Sequence, residues 1–177
     1  MKNRIGIYFA YWTHEWDADF IYYINKVARL GFDTLEICPG NLIGLPKETC
    51  RDIRKAADAV GIDLTYCIGI PPQYDLASED IGIQQAGIAY QKQLIDILYT
   101  MGGDTIGGIL YSCWPCNFTQ GIADKRPWWD RSVHNMSEVS SYANDHGVTL
   151  CMEVVNRFEQ ILLNTAEEAV QYCRDVD

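Results

Sequence analysis

The chain repeats a unit of one strand followed by one helix, and this repeat constrains its fold more than any other feature. Four times a glycine is followed by an apolar, strand-like run, in residues 31–38, 61–68, 103–111 and 147–155. Before each glycine lies a segment with apolar residues at helical spacing. A fifth strand, residues 4–11, opens the chain, so the predicted order is βαβαβαβαβα.

Several helix ends are marked in the sequence. The glycines Gly31, Gly61, Gly103 and Gly147 fall where helices should stop, because the residue after a helix often needs a positive φ, which glycine adopts at no steric cost. Ser78, followed by two acidic residues, predicts the start of the third helix. Residues 165–168 read T-A-E-E, a capping-box pattern that predicts the start of the last helix.

Strands that are apolar on both faces and alternate with helices are typical of a parallel sheet covered by helices, an α/β fold. Five units suit either a complete flavodoxin-like doubly wound sheet or the first five units of a (β/α)8 barrel. Composition does not separate the two. In both, sites form in the loops after the strands, which the pattern places at residues 39–46, 71–78 and 112–127.

The charge balance excludes some classes of partner. The 24 acidic and 14 basic residues give a net charge of −10, which repels phosphate backbones and anionic lipids, so we expect no nucleic acid and no membrane partner. The chain opens without a signal-like apolar stretch, and no segment has about 18 consecutive apolar residues. The seven cysteines are odd in number and mostly lie in apolar runs, which suits a reduced compartment. We therefore expect a cytoplasmic protein.

The fifth predicted strand carries an ionisable residue, Glu153, inside the apolar residues 149–155. A carboxylate removed from water must be neutralised, ion-paired or bound to a metal, and a structural ion pair is the competing interpretation. Arg157 and Glu159 follow within the same strand end, which favours a functional site. Glu36, in the second strand, is interpreted as a carboxylate that lines the core and is held by its neighbours.

A C-x-x-C pair, Cys113 and Cys116, follows the fourth strand. A redox dithiol needs its first thiol at a helix N-terminus, whereas about a dozen residues separate this pair from the next helical segment. No second C-x-x-C and no nearby pair of histidines completes a zinc set. We therefore expect neither a catalytic redox pair nor a zinc site.

Aromatic side chains crowd the predicted loop face, where their flat apolar surfaces suit the C–H face of a sugar. Ordinary packing must account for several of them. The set comprises Tyr8, Tyr11, Trp12, Trp16, Tyr74, Tyr111 and Trp114. No phosphate-binding glycine motif and no G-x-S-x-G motif is present, so nucleotide binding and serine hydrolysis lack support.

Three strings resemble the D-tagatose 3-epimerase and D-psicose (D-allulose) 3-epimerase family. They are IYFAYW at 7–12 with EW at 15–16, GGILYSCWP at 107–115 and EVVNRFE at 153–159. The likeness runs along all 177 residues in the same order. The family is a metal-dependent (β/α)8 barrel of the xylose isomerase-like type. The resemblance implies that residues 1–177 are the N-terminal portion of such a barrel, about five of its eight βα units.

The resemblance also implies a ketohexose substrate, a divalent metal that is Mn²⁺ or Co²⁺, and a homo-oligomeric full-length protein. Glu153 matches the glutamate that ligates the metal and exchanges a proton with carbon three of the ketose. Glu159 matches a residue that contacts the substrate near its first hydroxyl. The wall around the far end of the sugar is matched by Tyr8, Trp16, Ile109 and Trp114. Proton loss beside a carbonyl gives an enediolate, and epimerisation needs a second acid on the opposite face.

The family's other metal ligands, and a substrate-binding histidine and arginine, lie on its sixth to eighth strands, beyond Asp177. One carboxylate cannot hold a cation that takes about six ligands, so we expect the metal site to be incomplete in this chain. Two alternatives remain open. The chain belongs to another sugar or polyol isomerase of the same barrel superfamily, or it is a non-catalytic half-barrel fragment. Such a fragment would bind sugar weakly or pair with another half-barrel, because its first and fifth strands present open edges.

Overall fold

The computed structural model describes residues 3–116 and 124–177, in which five strands alternate with five helices. The elements are β1 (Gly6–Tyr8), α1 (Phe20–Leu30), β2 (Thr34–Ile37), α2 (Lys47–Val60), β3 (Asp63–Ile70), α3 (Ile81–Met101), β4 (Thr105–Cys113), α4 (Arg126–Asp145), β5 (Thr149–Met152) and α5 (Ala166–Val176). Short 3-10 turns follow the first three strands, at Phe9–Tyr11, Pro39–Leu42 and Pro72–Tyr74. The predicted alternation of strand and helix is confirmed. No helix in the described part of the chain combines the length and hydropathy needed to cross a membrane.

The sheet is parallel throughout, and its strand order is β1-β2-β3-β4-β5. Each helix from α1 to α4 packs against the next helix along the chain, so the helices form one continuous row. A doubly wound sheet reverses its strand order and needs helices on both faces. Sequential strands behind a single row of helices are instead the arrangement of a barrel wall. Of the two folds that the sequence allowed, the structure is the partial (β/α)8 barrel.

The hydrophobic core lies between the sheet and the helix row. Ile24 and Val27 of α1 are fully buried, as are Leu35 and Ile37 of β2. Glu36, between those two strand residues, points to the other face, where it pairs with Thr65 of β3. The prediction that the strands are apolar on both faces is therefore wrong for this part of the sheet. The helix-facing side is apolar, and the opposite side, which would face the inside of a closed barrel, carries polar groups.

Three of the four predicted helix stops are confirmed. Gly31, Gly61 and Gly147 follow α1, α2 and α4 with φ values of 83°, 71° and 66°. The stop after α3 is wrong by one residue, because Gly102, not Gly103, has the positive φ, 68°. Position 103 requires a glycine for a different reason, since a Cβ there would lie 2.6 Å from the buried Tyr66 ring.

One of the two predicted helix starts is confirmed. The capping box of α5 is present, with the Thr165 hydroxyl accepting from the Glu168 N–H and the Glu168 carboxylate accepting from the Thr165 N–H. The start of α3 is wrong by two residues, because Asp80 is the N-cap and its carboxylate accepts from the first turn of the helix. Ser78 instead accepts from the Asp80 N–H and shapes the approach to the helix.

The first and last strands are shorter than predicted. β1 stops at Tyr8, where the chain turns into a 3-10 helix, and β5 stops at Met152. Both strands are edges of the described sheet, so each has one neighbour and fewer hydrogen bonds to hold it extended. The ladder does continue one residue past β5, since the N–H of Glu153 donates to the Gly108 carbonyl over 3.0 Å.

Candidate active site

A cavity of about 480 Å³ lies at the carboxyl ends of the strands, a size within the range of small-molecule sites. All six residues that the family resemblance assigned to the site line it: Tyr8, Trp16, Ile109, Trp114, Glu153 and Glu159. Of the wider aromatic set, Tyr11, Trp12, Tyr74 and Tyr111 do not line it. The six come from the ends of β1, β4 and β5 and from the loops that follow. The structure thus brings together side chains that are up to about 150 positions apart, because parallel strands end at one shared edge.

Glu159 is held at the rim of the cavity by two neutral donors. The indole Nε1–H of Trp114 donates to its Oε2 over 3.0 Å, and the side-chain amide of Asn156 donates to its Oε1. Its backbone N–H donates to the Asn156 carbonyl over 3.1 Å. A carboxylate fixed through both oxygens keeps further lone pairs that can accept from a ligand hydroxyl.

Trp114 is positioned by close contact with a glycine of β3. A Cβ built on Gly69 would lie 2.8 Å from Cε3 of the Trp114 ring, so only glycine leaves room for the indole at this place. The backbone N–H of Trp114 donates to the Ile70 carbonyl over 2.7 Å. The ring is therefore fixed from below by the sheet and from the side by Glu159.

Glu153 lies one residue beyond β5, with its backbone fixed on both sides. Its N–H donates to Gly108, and its carbonyl accepts from the hydroxyl of the buried Tyr111 over 3.0 Å. Its side chain is exposed, and no ion pair to it forms within residues 3–116 and 124–177. The competing interpretation, a structural ion pair, is therefore not supported among the described residues, because the sheet face is open beside an edge strand; metal binding by Glu153 stays a prediction.

Glu36 lines a second hollow on the same face of the sheet, which Glu153 also borders. The Thr65 hydroxyl donates to the Glu36 carboxylate over 3.3 Å. Burial raises the pKa of Glu36 above its ordinary value, the Thr65 hydrogen bond opposes this, and the charge of Glu153 raises it further. The contact agrees with the interpretation of Glu36 as a carboxylate held by its neighbours, and Glu36 does not line the cavity at the strand ends.

The described residues do not by themselves fit a resident cation. Nowhere among them do three His, Cys, Asp or Glu side chains come together as a metal site needs. A hard divalent cation takes about six ligands, mostly oxygen, so Glu153 supplies at most a small part of such a set. The Mn²⁺ or Co²⁺ expected from the resemblance stays a prediction.

Two residues that sequence reasoning missed help to shape the site. Asp75, after β3, accepts from the Ser112 hydroxyl over 2.9 Å and from the Cys113 N–H over 3.1 Å, which ties the loop after β3 to the end of β4. Asn41 lines the cavity, and its side-chain nitrogen is buried without a partner among the described residues. Neither has a local sequence signal, since Asp75 acts on groups far along the chain and Asn41 is placed by the cavity that distant elements form together.

Parallel βα units in a row, with a cavity at the carboxyl ends of their strands, are characteristic of TIM-barrel proteins. This chain forms part of such a barrel. A family model described as "Xylose isomerase-like TIM barrel" matches residues 24–177. The chain belongs to that family.

Its relatives include D-psicose 3-epimerases. The one from Ruminiclostridium cellulolyticum is 43% identical over 172 residues, which are 97% of this chain and 58% of the relative. The one from Agrobacterium fabrum is 41% identical over 171 residues, 97% of this chain and 59% of the relative. This chain therefore spans less than two thirds of the length of either, and the matched part is their N-terminal portion.

Solved structures agree. A D-psicose 3-epimerase with D-tagatose from Clostridium cellulolyticum superposes with a TM-score of 0.94 at 42% identity, over 99% of this chain and 60% of that one. An L-ribulose 3-epimerase superposes with a TM-score of 0.85 at 28% identity, over 99% of this chain and 57% of that one.

Proposed function

We propose that this chain is the sugar-binding part of a ketose 3-epimerase, an isomerase of the D-psicose 3-epimerase type. One observation carries the proposal: the six side chains that the family resemblance assigned to such a site line a single cavity. The relatives at about 40% identity that bear this name support the same choice of substrate class. Those named L-ribulose 3-epimerase are more distant, at 27% identity.

The aromatic wall binds the sugar through its apolar surface. Tyr8, Trp16 and Trp114 offer flat faces to the C–H groups of a ketohexose, and Ile109 completes the wall. Glu159, held by Trp114 and Asn156, accepts a hydrogen bond from a sugar hydroxyl. Because Trp114 and Glu159 are held in place before the ligand arrives, binding costs little entropy in these two side chains.

Glu153 moves the proton at carbon three. That carbon lies next to the ketose carbonyl, so its proton is acidic enough for a carboxylate base held at the right distance. The backbone contacts of Glu153 to Gly108 and Tyr111 hold its Cα at the cavity while leaving the carboxylate free to reach the substrate. Return of a proton to the opposite face requires a second acid, which the proposal assigns to a part of the protein outside residues 1–177. The predicted Mn²⁺ or Co²⁺ would likewise take most of its ligands from there.

The test joins residues 1–177 to the C-terminal remainder of the Ruminiclostridium cellulolyticum relative and supplies manganese. We expect this chimera to convert D-fructose into D-psicose. Glu153→Gln should lower kcat by roughly 10²-fold or more, the range for loss of a general base. Glu36→Gln is the matched control, because it neutralises a carboxylate on the same sheet face that does not line the cavity, and it should change kcat far less.

A chimera with native circular dichroism that interconverts neither D-fructose with D-psicose nor D-tagatose with D-sorbose would contradict the proposed substrates. Faster turnover of L-ribulose than of either hexose would favour another isomerase of the same superfamily. Equal losses in Glu153→Gln and Glu36→Gln would remove the specific role of Glu153.

A further inference from the structure

We propose that Cys113 and Cys116 form a dithiol that hydroperoxides oxidise reversibly to a disulfide, and that this change displaces Trp114 at the rim of the cavity. The oxidation is a property of the chain alone. Its consequence for turnover rests on the proposed function, so the two are tested separately.

The two sulfur atoms already lie close together. Their separation is 3.2 Å, so bond formation has to close roughly 1.2 Å to reach a disulfide length of about 2.0 Å. Both residues are partly exposed, whereas Cys38 and Cys50 are buried and Cys151 and Cys173 are exposed. A small oxidant can therefore reach the pair without unfolding of the chain.

The surroundings favour Cys116 as the sulfur that attacks. The amide Nε2–H of Gln160 donates to its Sγ over 2.9 Å and the neighbouring Cys113 thiol can donate to it as well, while the protonated Cys116 thiol donates to the Cys113 carbonyl over 3.1 Å. The Cys113 contact lowers the pKa of Cys116 below its ordinary value, burial and the charge of Asp75 oppose this, and the Gln160 hydrogen bond adds to the lowering. The same contact raises the pKa of Cys113, so the proton stays on that sulfur.

The sequence argued against a redox pair, because about a dozen residues separate the two cysteines from the next helical segment. A thiolate at a redox site is often stabilised by a helix N-terminus, and among residues 3–116 and 124–177 the next helix after β4 begins only at Arg126. Here a side-chain amide takes that role, and it comes from a residue 44 positions further along the chain.

The reaction balances in two steps. The Cys116 thiolate attacks one oxygen of the hydroperoxide, so an S–O bond forms, the O–O bond breaks and the other oxygen leaves as alkoxide or hydroxide, which takes up a proton. Cys113 then attacks that sulfur, so the S–S bond forms, the S–O bond breaks, and the departing hydroxide leaves as water with the Cys113 proton. Two electrons pass from the sulfurs to the peroxide, and a dithiol reductant returns them.

The pair is coupled to the cavity because Trp114 lies between the two cysteines. Gln160 donates to the Cys113 carbonyl over 2.9 Å as well as to Cys116, and the Cys116 N–H donates to the Glu159 carbonyl over 3.3 Å. Forming the disulfide shortens the segment from Cys113 to Cys116 and thereby strains the hydrogen bond from Trp114 to Glu159. Oxidation should therefore change both the environment of the indole and the wall of the cavity.

The experiment uses the 177-residue chain, reduced and then treated with a small excess of hydrogen peroxide. We expect the intact mass to fall by two hydrogen masses, the count of alkylatable thiols to fall by two, and the bond to map to Cys113 and Cys116. Dithiothreitol should reverse all three. Tryptophan fluorescence should change with the same time course, and Trp114→Phe should lose most of that change.

Three substitutions make the test specific. Cys116→Ser should abolish the disulfide, and Cys113→Ser should stop at a sulfenic acid on Cys116 that dimedone traps. Cys151→Ser is the matched control, because it removes a more exposed thiol and should leave the disulfide intact.

Retention of all seven thiols, or the same loss in Cys116→Ser, would overturn the proposal. A disulfide that forms without any change in tryptophan fluorescence would overturn the coupling to Trp114. In the epimerase chimera we expect oxidation to lower activity at least severalfold and dithiothreitol to restore it. A chimera that is inactive in both redox states but still forms the disulfide would refute the proposed function and leave the redox pair standing.

Discussion

Two adjacent glycines of β4, Gly107 and Gly108, should respond in opposite ways to the same substitution. Gly108 has a φ of 123°, and a Cβ there would lie 2.1 Å from the Ile68 carbonyl oxygen of the neighbouring strand. At Gly107 the nearest atoms to a Cβ are 3.9 Å away, an ordinary contact. Alanine should therefore be tolerated at the first position and damaging at the second.

The magnitude follows from two contributions at Gly108. A non-glycine residue at such a φ costs about 1–3 kcal/mol. The clash is with backbone, so no side-chain rotation relieves it and the strands must separate, at about 0.5–1.5 kcal/mol for each weakened hydrogen bond. We expect Gly108→Ala to lower the free energy of unfolding by roughly 2–5 kcal/mol. Gly107→Ala should raise it by about 0.4–1 kcal/mol, because alanine reduces the entropy of the unfolded chain.

Urea unfolding, followed by circular dichroism and by tryptophan fluorescence, measures both variants against the parent chain. For a chain of this size each kcal/mol shifts the melting temperature by about 2–4 °C, so Gly108→Ala should melt roughly 10 °C lower. Its effect should extend to the cavity, since the Gly108 carbonyl accepts the Glu153 N–H. Free energies of unfolding that agree within about 0.5 kcal/mol for the two alanine variants would refute this reasoning.

Three further changes test other parts of the structure. Burial raises the pKa of Glu168, but the Lys125 contact and backbone donors outweigh it, and the pKa is lowered overall. The stability that Glu168 contributes is therefore complete above the ordinary pKa of a glutamate and is lost as the pH falls through the lowered pKa. Urea midpoints should therefore fall with acid in the parent chain and less in Lys125→Met; equal slopes would contradict this. In the epimerase chimera, and given the proposed function, Gly69→Ala should displace the Trp114 ring and raise KM for D-psicose severalfold; an unchanged KM would count against the role of this contact. Ser132→Ala should cost about 1–3 kcal/mol of unfolding free energy, because it leaves a buried β4 carbonyl without its donor, and an unchanged urea midpoint would refute that role.

Much of the local structure could be predicted, because it depends on residues close together in the chain. The capping box of α5 and the glycine stops of α1 and α2 are set by interactions within one or two turns. The errors were also local in scale. Asp80, not Ser78, caps α3, since a carboxylate two residues further on reaches the first turn better than the hydroxyl does.

Glu153 shows where a sequence pattern misled. An ionisable residue in an apolar run predicts burial, and burial requires a partner. In the structure the strand that leads to it is an edge, and the side chain is exposed on an open face. Burial depends on what covers a strand, which the residues of that strand do not encode.

The sequence by itself determined the order of the elements, most of their ends, and the edge of the sheet at which the site residues meet, because helical and strand periodicity and turn chemistry act over short distances. The tertiary structure alone decided that the strands lie in the order 1-2-3-4-5, that Gly108 and not Gly107 must be glycine, and that Gln160 reaches Cys116. Each of these depends on contacts between residues far apart in the chain. Such contacts are fixed by the packing of whole elements against one another, and no local pattern records them.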